Sequence, residues 1–231
     1  YAPGKTSVTV TKKWEDDGNR DGKRPGSVKV QLYAGDRKYG DEVILTEGGN
    51  WTYTWNDLPK TANGKEIQYS VKEAGVKDGK VTFDGAEYSV SVTGNAEEGY
   101  VITNEHTPEV IDISGSKTWN DKGNEGGRPE SITVNLLANG EPAGSKTVTE
   151  AEGWNWSFKN LPKYKKGSVG EKIIYTVTEN AVANYDTSIS GYDITNTYAP
   201  GKTSVTVTKK WEDDGNRDGK RPGSVKVQLY A

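Results

Sequence analysis

The stretch Val8-Thr9-Val10-Thr11-Lys12-Lys13-Trp14 alternates in a way that decides how this chain folds. Residues two apart on a β-strand face the same side, so Val8, Val10, Lys12 and Trp14 share one face of the predicted strand. The valines and the tryptophan mark that face as buried, yet it also carries a lysine. An ammonium group in an apolar core is costly unless it meets a polar partner. The stretch therefore predicts a β-fold whose core holds a partner for Lys12.

The same arrangement occurs a second time, and later strands supply candidate partners in both halves of the chain. Residues 111–119 place Lys117 on one face with Ile111, Ile113 and Trp119. In each half, a middle strand carries a glutamate on its apolar face and a final strand carries an asparagine. These residues are Glu73 and Asn104 in the first half, and Glu179 and Asn196 in the second. One ordered set that occurs twice predicts two similar domains, each with a polar triad in its core.

A buried lysine, carboxyl group and carboxamide can react with one another. Burial lowers the pKa of a lysine and leaves a nucleophilic amine, whereas a buried carboxyl group keeps its proton and can donate it. Attack of the amine on the asparagine side-chain carbon expels ammonia and leaves a Lys–Asn isopeptide bond. Folding supplies the effective concentration, so the reaction requires no cofactor, metal or separate enzyme.

Two simpler interpretations of the lysines remain open from the residues alone. A lysine near a strand end can extend its ammonium group into water, as expected for Lys13, which faces the other way and has Thr118 as its counterpart. The lysine and the glutamate could also form a buried salt bridge without further reaction. Co-occurrence of three inward polar residue types in both halves favours the crosslink.

These residues also carry a family resemblance. The K-x-W of the first strand, the Y-x-V-x-E of a middle strand and the I-T-N near each domain end resemble the collagen-adhesin B-type (CnaB) domain. The resemblance covers essentially the whole chain and includes Asp21-Gly22-Lys23-Arg24-Pro25, Gly127-Arg128-Pro129, Leu58-Pro59-Lys60 and Leu161-Pro162-Lys163. It implies an all-β fold of tandem reversed immunoglobulin-like sandwiches with internal isopeptide crosslinks. It further implies that Glu73 assists a Lys12–Asn104 bond and that Glu179 assists a Lys117–Asn196 bond.

An identical repeat sets the domain organisation. Residues 1–34 recur letter for letter as residues 198–231. We predict CnaB-type domains at 1–107 and 108–200, joined by short proline-containing linkers, and the first two strands of a third, incomplete domain at 201–231. Lys209 of this last segment has no glutamate or asparagine partner within the chain, and a segment of this length cannot bury a core by itself.

Short strands between Gly, Asn and Asp turns are expected throughout, with no sustained helical period. In the first domain the predicted strands are 7–14, 27–33, 42–46, 50–55, 66–73, 86–92 and 99–104. In the second domain they are 110–119, 131–137, 145–149, 154–158, 171–179 and 191–196.

Composition narrows the classes of function. The 231 residues carry a net charge of −3 with both signs interspersed, which does not indicate binding to nucleic acid or to a membrane. Cysteine is absent, so a crosslink of another kind would have to replace a disulfide. No apolar run is long enough to span a bilayer, and no signal peptide is evident, so the chain would be a fragment if its parent is secreted.

Two weaker motifs have ordinary explanations. Residues 17–22 match the opening of a calcium-binding loop, but Val28 occupies the position of the expected bidentate glutamate. A polar turn of Asp, Asn and Gly accounts for the same residues. Residues 58–62 resemble a sortase sorting signal but lack the hydrophobic tail, so we predict a loop there. His106 has no second histidine or cysteine with which to form a metal or catalytic site.

Aromatic rows form a further candidate surface. Trp51, Tyr53 and Trp55 share one predicted strand face, as do Trp154, Trp156 and Phe158. If exposed, such rows could stack on sugars. We expect them to pack the core instead, because aromatic residues at a period of two normally do so.

The expected function is structural rather than enzymatic. We predict stalk repeats of an extracellular, cell-wall-anchored Gram-positive adhesin, which contact neighbouring repeats while another domain of the parent binds host extracellular matrix. Anchoring would reside in a part of the parent outside this sequence. The alternative is that the repeats themselves bind a host glycan or matrix protein. A pilin backbone would need a sortase-reactive lysine motif, which we do not find.

Overall fold

Two β-sandwiches in tandem occupy most of the computed structural model, which describes residues 4–231. The strands of the first sandwich are β1 (Lys5–Glu15), β2 (Ser27–Ala34), β3 (Arg37–Thr46), β4 (Thr52–Pro59), β5 (Thr61–Ala62), β6 (Lys65–Glu66), β7 (Tyr69–Glu73), β8 (Lys80–Phe83), β9 (Ala86–Asn95) and β10 (Gly99–Glu105). One sheet has the order β4-β1-β10-β9-β8 and the facing sheet has the order β3-β2-β7, while β5 and β6 form a small hairpin.

The second sandwich repeats this plan with fewer strands. These are β11 (Val110–Asn120), β12 (Ser131–Ala138), β13 (Glu141–Thr149), β14 (Asn155–Pro162), β15 (Tyr175–Glu179), β16 (Tyr185–Ser190) and β17 (Asp193–Tyr198). Its sheets have the orders β14-β11-β17-β16 and β13-β12-β15. A single 3₁₀ turn precedes the fourth strand of each domain, at Glu47–Gly49 and Glu150–Glu152.

The first and last long strands of each domain lie side by side and run parallel. In the first domain β1 pairs with β10, and in the second β11 pairs with β17, whereas the other strand pairs are antiparallel. Because the two strands that carry the chain into and out of the domain are neighbours, residues distant in sequence share one stretch of sheet.

Each sandwich has its own apolar core between its two sheets. The first core includes Val8, Val10, Val30, Leu32 and Ile102, and the second includes Ile113, Val134, Leu136, Val177 and Ile194. Alternating burial along β1, β11 and β12 follows the predicted period of two. The predicted all-β sandwich architecture is therefore confirmed. Within residues 4–231, no helix has the length and apolar character that a membrane crossing requires.

Some short or polar strands were not predicted. These strands are β8, the β5–β6 hairpin and β16, and in β16 only the first residue is buried. The strands β5 and β6 have two residues each and bury none of them, while β8 has four residues and buries only Val81, so each is too short for a period of two to stand out. The loop predicted at residues 58–62 is also wrong, since these residues end β4 and form β5, with Leu58 buried.

The two strands predicted within residues 201–231 do not form in the structure, where this segment contains turns but no strand. The identical residues in the first domain pair as β1 with β4 and β10, and as β2 with β3 and β7. Residues 201–231 contain no copy of those partner strands, so their backbone groups have no ladder to join. Val205, Val207 and Leu229 are exposed as a result.

Candidate crosslinking sites

The structure brings Lys12, Glu73 and Asn104 together in the first core. Lys12 and Asn104 come from the neighbouring strands β1 and β10, and Glu73 lies on β7 in the facing sheet. The Asn104 Nδ2 donates a hydrogen bond to Glu73 Oε1 at 2.9 Å, and Lys12 Nζ lies 3.4 Å from Glu73 Oε2. The Lys12 and Glu73 side chains are 0% and 1% exposed. The Glu73 carboxyl group therefore connects the amine and the amide.

Burial sets the charge behaviour of Lys12. Desolvation lowers the pKa of its amine to about 8, against the opposing effect of the nearby Glu73. The Nζ atom also lies 4.2 Å from the centre of the Trp14 ring, so the tryptophan of the K-x-W motif covers the amine. The neutral, nucleophilic form of the amine is consequently more populated at neutral pH here than in a lysine exposed to water.

The second core contains the corresponding residues in a different arrangement. Lys117 Nζ donates to Glu179 Oε1 at 2.5 Å, and both side chains are 0% exposed. Burial again lowers the pKa of the lysine. Asn196 is fully buried, but neither its Oδ1 nor its Nδ2 has a hydrogen-bond partner. The other Glu179 oxygen accepts a hydrogen bond from Thr187 Oγ1 at 2.9 Å.

A pair of a buried aspartate and an arginine flanks each site and was not predicted from the sequence. Asp16 pairs with Arg24 in the first domain, and Asp121 pairs with Arg128 in the second. Burial alone would raise the pKa of Asp16, but the hydrogen bonds from Arg24 and the Asn19 amide hold it below its usual range. Continuing the period of two beyond the K-x-W motif, to K-x-W-x-D, would have indicated both aspartates.

The arginines of these pairs also reach the tryptophans that cover the lysines. The Arg24 guanidinium carbon lies 5.4 Å from the Trp14 ring centre, and that of Arg128 lies 5.7 Å from the Trp119 ring centre. In each domain the lysine and the arginine of the ion pair therefore lie against the same indole ring.

The aromatic rows mostly pack the cores. Trp55, Trp156 and Phe158 are buried, while Trp51 and Trp154 pack edge-on against Trp14 and Trp119. The prediction is wrong for Tyr53, which is 41% exposed. It lies on β4, the edge strand of its sheet, and packs edge-on against Trp55.

The acidic loop of residues 16–22 uses its carboxylates for internal contacts. Asp16 pairs with Arg24, Asp17 with Arg20, and Asp21 with His106. Within the described part of the chain, no three metal-ligating side chains cluster.

Lys209, in the last segment, is exposed, and its Nζ lies 4.6 Å from the centre of the Trp211 ring.

His106 lies at the junction between the two domains. Its Nε2 is 3.0 Å from Asp21 Oδ2 and its Nδ1 is 2.9 Å from the Glu87 carbonyl oxygen. The same Asp21 oxygen accepts a hydrogen bond at 2.8 Å from the backbone amide of Glu109, which directly precedes β11. Both ring nitrogens thus face oxygen atoms of neighbouring residues within hydrogen-bond distance. His106 therefore has a structural position at the linker.

A second set of contacts joins the same loop to the second domain. Arg20 Nε donates to the Tyr164 carbonyl oxygen, and the Gly170 amide donates to the Arg20 carbonyl oxygen, each at 2.9 Å. Gly22 and Gly170 approach so closely that a Cβ on Gly22 would lie 3.0 Å from the Gly170 Cα. We name residues 16–24 the junction loop.

Comparison with known proteins identifies the fold family. The sequence matches the Cna protein B-type domain over residues 8–105, 113–197 and 205–231. The collagen adhesin of Staphylococcus aureus is 48% identical over 231 residues, which are all of this chain and 19% of that protein. A crystal structure of two B repeat units of the S. aureus collagen binding protein aligns with a TM-score of 0.70 and 47% identity, covering 96% of this chain and 57% of that one.

The fold and these matches together define a tandem B-type repeat built from reversed immunoglobulin-like sandwiches. The chain belongs to the Cna protein B-type domain family.

Proposed function

We propose that each complete domain forms a Lys–Asn isopeptide bond by itself, and that the domains act as a force-resistant stalk in a cell-wall-anchored adhesin. The observation that carries this proposal is the Glu73 carboxyl group, which contacts both Lys12 and Asn104 inside an apolar core. The domain boundaries near residues 107 and 200 are part of the same proposal.

The triad supports a balanced reaction. When one proton is shared by the lysine and glutamate, a neutral amine can face a protonated carboxyl group. The carboxyl group polarises the asparagine amide while the Lys12 Nζ attacks its Cγ. The Nζ–Cγ bond forms, the Cγ–Nδ2 bond breaks, and one proton of the amine passes through Glu73 to Nδ2, so ammonia leaves. Glu73 ends as it began, and no cofactor or metal takes part.

The strand arrangement supports a mechanical role. Tension that enters at the start of β1 would pass along that strand to Lys12, cross the covalent bond to Asn104, and leave at the end of β10. Residues 13–103 would then carry no tension. Lys117 and Asn196 occupy the same positions on β11 and β17.

The setting of this stalk rests on the relatives. We infer that the repeats are extracellular, contact neighbouring repeats of one chain, and hold a matrix-binding head away from the cell wall. This inference rests on the 48% identity to a collagen adhesin, of which the chain spans only 19%.

Single-molecule pulling tests the proposed function. The complete chain should show no extension of residues 13–103, whereas a Lys12→Ala, Lys117→Ala variant should release about 300 Å of contour length per domain. Release of that length by the wild-type chain would contradict the stalk function. Binding of the wild-type repeats to immobilised matrix proteins or glycans would favour the alternative of a ligand-binding repeat.

A further inference from the structure

The two candidate sites differ at the strand position beside the asparagine. Val90 on β9 lies opposite Asn104, and Thr187 on β16 lies opposite Asn196. These are corresponding positions, because each lies on the strand that pairs with the outer edge of the final strand. One site therefore has an apolar side chain where the other has a hydroxyl group.

This difference changes what the glutamate contacts. Glu73 uses Oε1 for the Asn104 amide, and its Oε2 lies 3.4 Å from Lys12. Glu179 uses Oε1 for Lys117 at 2.5 Å and Oε2 for the Thr187 hydroxyl at 2.9 Å. Both oxygens of Glu179 are occupied, and the carboxamide of Asn196 has no hydrogen-bond partner.

We propose that Thr187 is a positioning residue that slows isopeptide formation in the second domain by holding Glu179 against Lys117 and away from the Asn196 amide. This inference rests on the proposed function, since it concerns the rate of that reaction. It implies that the isopeptide bond of the first domain forms before that of the second.

The physical reason lies in how the pair shares its proton. The reaction needs the neutral pair, in which the lysine is an amine and the glutamate is an acid. A hydroxyl group that donates to the carboxylate stabilises the ion pair instead, which lowers the population of the reactive form. It also fixes the carboxyl group in a direction from which it does not contact the amide. In the first domain, Val90 offers no donor and leaves Glu73 on Asn104.

The reaction itself is the one described for the first domain. The Lys117 Nζ–Asn196 Cγ bond forms, the Cγ–Nδ2 bond breaks, and ammonia leaves with one proton from the amine transferred through Glu179. Before that transfer, the Thr187 hydrogen bond to Oε2 must break so that a protonated carboxyl group can turn to the amide.

Reciprocal substitutions test the inference in the complete chain. The chain is synthesised in short cell-free pulses and transferred at once into denaturant, so that it is collected before it crosslinks. Refolding is then started by dilution, and the reaction is stopped in samples by adding acid. Peptide mass spectrometry then gives the crosslinked fraction of each domain with time. We expect the first domain to crosslink faster than the second. Thr187→Val should raise the crosslinking rate of the second domain about tenfold, and Val90→Thr should lower that of the first domain by a similar factor.

A pH profile separates positioning from a general effect on folding. Thr187→Val should raise the maximal rate of the second domain and move the acid limb of its profile to higher pH, while the alkaline limb stays in place. Thr187→Ser retains the hydroxyl group and should keep the slow rate. Circular dichroism during the same refolding reports whether any variant folds at a different rate.

The possible failures are distinguishable. If neither domain loses ammonia, the proposed function fails. If both domains crosslink but Thr187→Val leaves the second rate unchanged or lower, or Thr187→Ser behaves like Thr187→Val, the role of Thr187 is contradicted and the proposed function stands.

Discussion

Lys12 and Asn104 lie two register positions apart on adjacent parallel strands, since Lys12 is opposite Ile102 and Trp14 is opposite Asn104. Lys117 and Asn196 have the same relationship, with Lys117 opposite Ile194 and Trp119 opposite Asn196. Side chains that are two positions apart emerge on the same face of a sheet. Both lysines can therefore reach an asparagine on the neighbouring strand, under a glutamate from the facing sheet.

Replacement of Glu73 by glutamine should prevent crosslinking in the first domain alone. Glutamine keeps the size of the side chain but cannot exchange a proton between the amine and the amide. The variant should lose one ammonia rather than two, by intact mass. Its first domain should be less stable by roughly 4 kcal/mol, by analogy with a covalent bond that closes a loop of about a hundred residues.

Glu179→Gln is the matched control for that experiment, because it should spare the first domain and block the second. Peptide mapping identifies which domain retains its bond. A Glu73→Gln chain that still forms the first bond would show that the glutamate does not assist the reaction.

The rate of crosslinking in the first domain should depend on pH through the proton shared by Lys12 and Glu73. Burial places the pKa of Lys12 at about 8. Above that pH the pair loses its last proton, so the amine is neutral but no acid remains to polarise the amide. We expect a plateau near neutral pH and a fall in rate as the pH rises past about 8, measured during refolding. A rate that keeps rising well above pH 8 would rule out the acid role of Glu73.

The buried Asp121 should contribute stability that disappears in acid. Hydrogen bonds from Arg128 and Tyr185 lower the pKa of Asp121 in the folded domain. A carboxyl group with a lowered folded-state pKa stabilises the fold above its unfolded pKa, and this contribution is lost as the pH falls. Asp121→Asn should therefore lower the melting temperature at neutral pH and have progressively less effect toward acid. Asp186→Asn, on an exposed position of β16, is the control and should change little at any pH.

The junction loop should hold the first two domains in a fixed orientation through Asp21. One of its oxygens lies between His106 and the Glu109 amide, on both sides of the linker. Asp21→Ala should broaden the interdomain distance distribution in small-angle scattering and speed proteolysis near residue 108, without changing the stability of either domain. Asp218→Ala changes the identical residue of the repeated segment, which is exposed, and should leave both measurements unchanged.

Whether a strand or a site residue could be predicted from the sequence depends on how much of that strand is buried in a core. The strands that pack the cores, such as β1 and β11, show the period of two, and their inward lysines indicated a polar site. In β16, Tyr185, Thr187 and Ile189 alternate with polar residues, but the run is short and only Tyr185 is buried. The strand was therefore not predicted, and Thr187 was not placed beside Glu179. The identical residues of the first domain form strands by pairing with β4 and β10, which lie far away in sequence. A local pattern does not show whether such partners are present, so it predicted strands within residues 201–231 that do not form.

Intact-mass measurement of the purified chain under denaturing conditions, with peptide mapping, tests the central claim most directly. We expect the mass to fall short of the sequence mass by two ammonia molecules, with one crosslinked peptide joining Lys12 to Asn104 and another joining Lys117 to Asn196. Lys209 should remain a free amine. A mass equal to that of the full sequence would contradict spontaneous crosslinking in both domains.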